Sequence, residues 1–217
     1  MIDPNKVPHY TLYDGDTIPC LGMGTFGSDR CSAEEVAAAV AGGLRIGYRL
    51  FDCAACYGNE EQIGKEFHRA FEEGIVERKD LFIMSKVWND MHGRGDVLIA
   101  LARTLKDLRL DYLDGYMVHW PFPNYHPPGC ARDYRNPDSR PFLIDEFMET
   151  WEQMERLVDL GLVRHIGVSN MTQPTLAAQH SRCRIRPEFN EVELHPAFQQ
   201  PELYSYCARE GILLIGF

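Results

Sequence analysis

Apolar positions along this chain follow two alternating rhythms. Short runs rich in β-branched, aromatic and aliphatic residues are separated by longer segments in which apolar side chains recur every three or four positions. The short runs predict strands over Pro19–Gly24, Arg49–Ala54, Leu81–Val87, Leu113–Trp120, His165–Ser169, Glu188–Leu194 and Ile212–Phe217. The longer period predicts helices over Ser32–Ile46, Asn59–Glu73, Gly95–Leu110, Ile144–Leu160, Gln173–Ser181 and Pro201–Glu210. Local signals agree with the period. Ser32 and Glu35 make a capping box ahead of the apolar face Val36, Ala39, Val40 and Leu44, and Pro201 sits in a first helical turn, where its missing N–H is no loss. A hairpin over Tyr10–Thr17, turning at Asp14-Gly15, precedes the first unit.

Strands alternating with helices are the signature of βα units around a parallel sheet. The fold class expected is therefore α/β, a TIM (β/α)8 barrel in one domain spanning residues 1–217, with the hairpin plugging its bottom. Seven strands with six intervening helices are one unit short of closure, so the chain reads as truncated after its seventh strand. One further segment breaks the rhythm. Pro121–Pro141, rich in Pro, Asn, Arg and Tyr, is too long for an ordinary βα connection and reads as a functional loop over one mouth of the barrel.

Composition narrows the chemistry. The 217 residues, 45% hydrophobic, suffice for one sizeable core and are short for two. A formal net charge of -10 argues against a nucleic-acid or anionic-membrane surface and favours a small-molecule partner. No stretch approaches a membrane span, and the N-terminus has no apolar run of signal-peptide type, so the expected location is cytoplasmic. The seven cysteines show no disulfide-framework spacing and are expected as reduced thiols.

Four residues carry candidate chemistry: Asp52, Tyr57, Lys86 and His119 each lie at or just after the end of a predicted strand. Reducing a carbonyl with hydride requires a proton for the developing alkoxide. A free tyrosine, with a pKa near 10, matches neutral pH poorly. An adjacent ammonium favours the phenolate and lowers that pKa, while a carboxylate holds the ammonium in place. Tyr57 is thus the expected acid, Lys86 its tuner and Asp52 the partner of Lys86, with His119 orienting the carbonyl oxygen and helping to relay the proton.

These residues sit in longer motifs. Gly47-Tyr48-Arg49-Leu50-Phe51-Asp52-Cys53-Ala54, followed by Tyr57-Gly58-Asn59-Glu60, resembles the first signature of the aldo-keto reductases. Ser85-Lys86-Val87-Trp88, His119-Trp120-Pro121 and Gly161-Leu162-Val163-Arg164-His165-Ile166-Gly167-Val168-Ser169-Asn170 resemble that family's other landmarks, in order. The resemblance implies NADPH-dependent reduction of a small aldehyde or ketone, with NADH as the lesser alternative cofactor. It implies that Ser169 and Asn170 bind the nicotinamide carboxamide, with Gly24, Thr25 and Asp52 also against the cofactor. Phe217 stands where the family commonly has a tyrosine that stacks on the nicotinamide, and phenylalanine keeps the π face. Glu191 stands where a glutamine commonly completes the carboxamide contacts; a carboxylate accepts there but donates only when protonated. Phe26, Trp88, His119 and Trp120 are expected to line the substrate pocket. The family's C-terminal part, which grips the adenosine phosphate, has no counterpart here, so the chain as it stands is expected to bind cofactor weakly and reduce little.

Rival readings are weaker. Cys53-Ala54-Ala55-Cys56 is a C-x-x-C element, but it is embedded in the reductase signature and has no second pair at metal-ligand spacing. A metal assembled from His119, His126 and His195 lacks any short-range ligand pair, and no metal is expected. A different class remains as the alternative: a reductase-like barrel acting as a non-catalytic binding or regulatory subunit.

Overall fold

The computed structural model describes residues 3–28, 30–122 and 141–217. A short antiparallel hairpin pairs β1 (His9–Thr11) with β2 (Thr17–Pro19), in register His9↔Pro19, around a turn where Gly15 takes φ +97°. Seven strands follow, β3 (Met23–Gly24), β4 (Leu50–Asp52), β5 (Phe82–Val87), β6 (Leu113–Val118), β7 (Val163–Ser169), β8 (Phe189–Val192) and β9 (Leu213–Gly216). They form one parallel sheet whose spatial order follows the chain, β3-β4-β5-β6-β7-β8-β9. The connecting helices are α1 (Ala33–Ile46), α2 (Glu60–Glu72), α3 (Asp96–Leu108), α4 (Ile144–Asp159), α5 (Gln173–His180) and α6 (Pro201–Glu210). This is the curled α/β sheet expected of a TIM-type barrel.

One expected strand is divided. Thr17–Pro19 belongs to the hairpin, where the Cys20 amide still donates to Pro8 O at 2.8 Å, and only Met23–Gly24 pairs with β4. A proline has no N–H to give to a second ladder, so Pro19 ends one sheet rather than beginning the next. Residues 123–140 of the long segment after His119, with His126 and Cys130, lie outside the described residues.

Strand periodicity sorts the core into two layers. Phe51, Ile83, Tyr116, Ile166 and Val168 face the helices, where they pack with Val40, Leu44, Phe67, Leu101 and Trp151. Their neighbours one position away face the lumen, where Leu50, Phe82, Met84, Met117 and Phe189 pack on Leu12 and Ile18 of the hairpin region. The hairpin region therefore underlies the apolar lumen as its floor. Each such large apolar side chain contributes roughly 1.5–3 kcal/mol on burial. Helix ends are held locally: Ser32 Oγ accepts from the Glu35 amide while Glu35 Oε2 accepts from the Ser32 amide, and Gly47, at φ +117°, turns the chain out of α1. No helix among the described residues is long and apolar enough to cross a membrane.

Among the described residues no strand pairs with the outer edge of β3 or of β9. Both edges border a cleft of about 480 Å³ lined by, among others, Gly24, Leu50, Asp52, Glu191, Ile215 and Phe217. The cleft runs up the lumen to the carboxyl ends of the strands.

Candidate active site

The same inward parity that builds the lumen also delivers the polar residues. Two positions beyond Leu50, Met84, Met117, Gly167 and Phe189 stand Asp52, Lys86, His119, Ser169 and Glu191, all toward the carboxyl ends of their strands. Since side chains repeat every second residue, an apolar layer is followed directly by a polar one. Tyr57 arrives differently, on a single 3-10 turn, Ala55–Tyr57, closed by Gly58 at φ +68°.

Lys86 is the centre of this layer. Its ammonium is fully buried, 2.5 Å from Asp52 Oδ1, 3.2 Å from Glu191 Oε1 and 3.2 Å from Cys53 O. Burial alone would favour the neutral amine, but the Asp52 and Glu191 carboxylates reverse this and hold Lys86 above its ordinary range. The Asp52–Lys86 pair was legible in the sequence. Its second acid was not, because Glu191 reaches Lys86 across the lumen from β8.

One ammonium cannot balance two buried carboxylates. Burial and the charge of Asp52 push the Glu191 carboxyl up, against the pull of Lys86. A neutral trio is the favoured state in a low-dielectric setting, with the extra proton on Glu191. Glu191 Oε2 is the atom for that proton, since Oε1 faces Lys86 whereas Oε2 is buried with no hydrogen-bond partner.

Tyr57 departs from expectation. Burial pushes its phenol well above the ordinary value, and the opposing pull of Lys86 is outweighed once Asp52 and Glu191 add to the rise. The expected net lowering by Lys86 does not occur, because burial of the phenol outweighs the pull of the ammonium, with Asp52 and Glu191 adding to the rise. The Lys86 ammonium lies 5.4 Å from the Tyr57 ring centre, and the ring meets His119 edge-on at 5.8 Å and Phe26 at 5.1 Å.

Burial, with Lys86 and His92 adding to it, holds His119 well below its ordinary range, so the imidazole is neutral. Its Nδ1 lies 3.5 Å from Cys56 Sγ. Burial pushes that thiol up to about 12, so it stays protonated and has an S–H to offer Nδ1. In the tautomer that accepts it, the proton of His119 is on Nε2. Cys56 therefore acts as a neighbour of His119 rather than as half of a redox pair; Cys53 is fully buried with its thiol pushed still higher.

The remaining expected residues surround this layer. Ser169 Oγ donates to Glu191 O at 2.9 Å, and Asn170 Nδ2 donates both to Ser169 Oγ at 3.0 Å and to His119 O at 2.9 Å. Asn170 achieves this from φ +58°, a backbone state that asparagine tolerates better than most residues. With its amide nitrogen so engaged, Asn170 has Oδ1 left as an acceptor. Thr25 Oγ1 donates to Asp52 O at 2.9 Å, fastening β3 to β4 beside Gly24, which pairs with Asp52 in register. Trp88 packs edge-on against His119 at 4.9 Å. Phe26 is half-exposed, and Trp120 is partly exposed and stacks on Phe122 at 6.5 Å. Phe217 is 62% exposed at the rim of the cleft.

Parallel strands in chain order around a polar layer at their carboxyl ends define a TIM-type α/β barrel with a candidate active site at its mouth. The family model described as "Aldo/keto reductase family" matches residues 20–217, and the chain belongs to that family. It is 42% identical to an aldo/keto reductase of Synechocystis over 98% of this chain and 64% of that protein. It is 40% identical to the NAD(P)H-dependent D-xylose reductase of Pachysolen tannophilus, over 96% of this chain and 66% of the relative. The crystal structure of a Bombyx mori aldo-keto reductase in complex with NADP superimposes with a TM-score of 0.85 at 36% identity, covering 97% of this chain and 66% of that one. The chain thus spans slightly less than two thirds of the length of these proteins.

Proposed function

We propose that the protein is an NADPH-dependent oxidoreductase that reduces a small aldehyde or ketone to an alcohol, with Tyr57 as the proton donor. The observation that carries the reading is the convergence of Asp52, Lys86, Tyr57 and His119 at the ends of β4, β5 and β6, beside a cleft that runs into the lumen. The names of the relatives supply the cofactor. A bound nicotinamide would deliver hydride to the carbonyl carbon. This chain's residues would then handle the oxygen and the proton.

The donor set fits a carboxamide, which carries both an N–H donor and a carbonyl acceptor. Asn170 Oδ1 would accept, and the buried, unpartnered Oε2 of protonated Glu191 would donate. A carboxylic acid can thereby do the work of the glutamine that the family commonly uses. Gly24 leaves room beside Asp52, and Phe217 offers an aromatic face at the rim. Tyr57, held protonated, retains its proton until an alkoxide, a far stronger base, develops next to it. The Nε2–H of His119 would orient that oxygen. Lys86 would stabilise the phenolate left behind, while Phe26 and Trp88 exclude water from the substrate's organic part.

The test is twofold. Saturable quenching of tryptophan fluorescence by NADPH reports binding, and loss of nicotinamide absorbance with an aromatic aldehyde reports turnover. In a full-length version, both signals together, with turnover dependent on Tyr57, are expected. Binding without turnover would favour a non-catalytic binding or regulatory subunit, and turnover above about a tenth of normal in Tyr57→Phe would remove Tyr57 from the role.

A further inference from the structure

At the opposite end of the barrel, far from the proposed chemistry, the hairpin turn meets the start of β7 and the residue before β8. His165 is buried there, 3% exposed, with its ring stacked on Phe82 at 5.8 Å. Its Nε2 is 3.2 Å from Asp16 Oδ2, a hydrogen bond that places the ring proton on Nε2. Its Nδ1 makes no hydrogen bond at all, although it is buried. Two carboxylate oxygens face it instead, Asp14 Oδ2 at 3.4 Å and Glu188 Oε1 at 3.6 Å. The three atoms lie within 4.8 Å of one another.

Those separations are long for hydrogen bonds. They suit ligands around a metal ion, since two atoms each about 2.0–2.1 Å from a tetrahedral zinc are roughly 3.4 Å apart. The surroundings also match. An imidazole that donates its far N–H to a carboxylate is the usual support for a metal-binding histidine, and Asp16 supplies that carboxylate. Glu188 Oε2 takes only a long, weak hydrogen bond from the Tyr13 amide, 3.4 Å, which leaves Oε1 for the site. Access exists: Asp14 is 41% exposed, and a cleft of about 240 Å³ lined by Asp16, Lys79, Asp80, Asp114, Arg164 and His165 opens beside the ring.

We propose that Asp14 Oδ2, His165 Nδ1 and Glu188 Oε1 form a binding site for a divalent transition-metal cation of the zinc type, with Asp16 orienting the imidazole. One imidazole and two carboxylates suit zinc or a neighbouring first-row ion better than calcium or magnesium, which take oxygen alone. The fourth position would be water. Because the ligands come from the hairpin turn, β7 and the approach to β8, the ion would clasp the floor to the barrel wall. Its role is structural, in keeping with its place at the amino ends of the strands.

The experiment strips the chain with a chelator and titrates it with Zn2+ alone, then with Co2+ as a visible-light reporter. One saturable equivalent per chain is expected, with a rise in thermal midpoint and Co2+ bands free of thiolate charge transfer. Asp14→Asn, on the exposed turn, should weaken binding at least about tenfold without disturbing the metal-free fold. Asp16→Asn should weaken it by roughly 10- to 100-fold through the imidazole alone. His195→Ala removes a surface histidine paired with Glu193 and should leave the titration unchanged. The proposal is overturned if Zn2+ shows no saturable binding at micromolar concentration, if Asp14→Asn binds as well as the parent, or if Co2+ reports thiolate ligation. A proton on His165 would then suffice to hold the carboxylates together.

Discussion

The two ends of the barrel solve the same charge problem differently. At the mouth, one permanent cation, Lys86, is enclosed with two carboxylates and shielded from water. At the floor, one histidine faces three carboxylates, of which Asp14 and Asp16 stand largely in solvent. Where water is excluded, the surplus negative charge is removed by a proton on Glu191, and a hydrogen-bond donor results. Where two of the carboxylates reach water, the arrangement is open to a cation from solution. Burial, rather than the count of acids, decides which end becomes a donor and which becomes a ligand set.

The mouth can be broken most severely at Tyr57. Replacing it by phenylalanine should lower carbonyl reduction by roughly 10²- to 10⁴-fold and leave NADPH quenching nearly unchanged, read by parallel turnover and fluorescence titrations. Lys86→Met comes next. It strands Asp52 and Glu191 without their ammonium, and stability should fall by about 3–5 kcal/mol at neutral pH. Part of that loss should return in acid, as a stranded carboxylate takes up a proton. Denaturant melts at pH 5 and pH 8 would show it, and a loss independent of pH would contradict the charge account.

Gly167 tests whether the two ends are separate. A Cβ there would overlap the Phe189 ring in the apolar layer between mouth and floor. Gly167→Ala should therefore cost about 1–3 kcal/mol by overpacking. If the ends are independent, zinc binding at the floor persists in that variant once it is folded.

The smallest effect sharpens the contrast. Glu191, raised from 4.5 to about 8, donates while protonated and loses that capacity as pH rises through its folded value. NADPH should bind roughly tenfold more weakly at pH 9 than at pH 7, the scale of one hydrogen bond to a buried polar group. In Glu191→Gln the dependence should flatten. Stability follows the same sign. Between about 4.5 and 8 the folded chain holds a proton that the unfolded chain releases, so the contribution is present in acid and lost as pH rises. Equal pH slopes in parent and variant would place the proton elsewhere.

Much of this was legible in sequence because it depends on local period. The helices followed from spacing and caps, as at Ser32 and Glu35, and the polar layer followed from strand ends that each carried one reactive residue. What escaped depends on distance in the chain. The Lys86–Glu191 pair spans the lumen, and the burial that raises the Tyr57 phenol against the pull of Lys86 is a property of the folded site, invisible in a prediction made from Lys86 alone. His165 looked like one more strand residue, because nothing near it in sequence announces Asp14, Asp16 or Glu188. The division of Pro19–Gly24 was hidden for another reason: an apolar run does not say which of two sheets will take it.

The floor also bears on the order in which the molecule assembles. Each strand of the main sheet from β3 to β8 pairs with its immediate successor, so that sheet can grow by adding one βα unit at a time. The hairpin is the exception: Asp16 must find His165 across 149 positions. Closing so long a loop early is entropically unfavourable, which makes the hairpin a late arrival, docking on a wall already standing. Pulsed hydrogen exchange during refolding should then label the amides of β1 and β2 after those of β5 and β6 are protected. The hairpin, first of these elements in the chain, would be among the last to find its place.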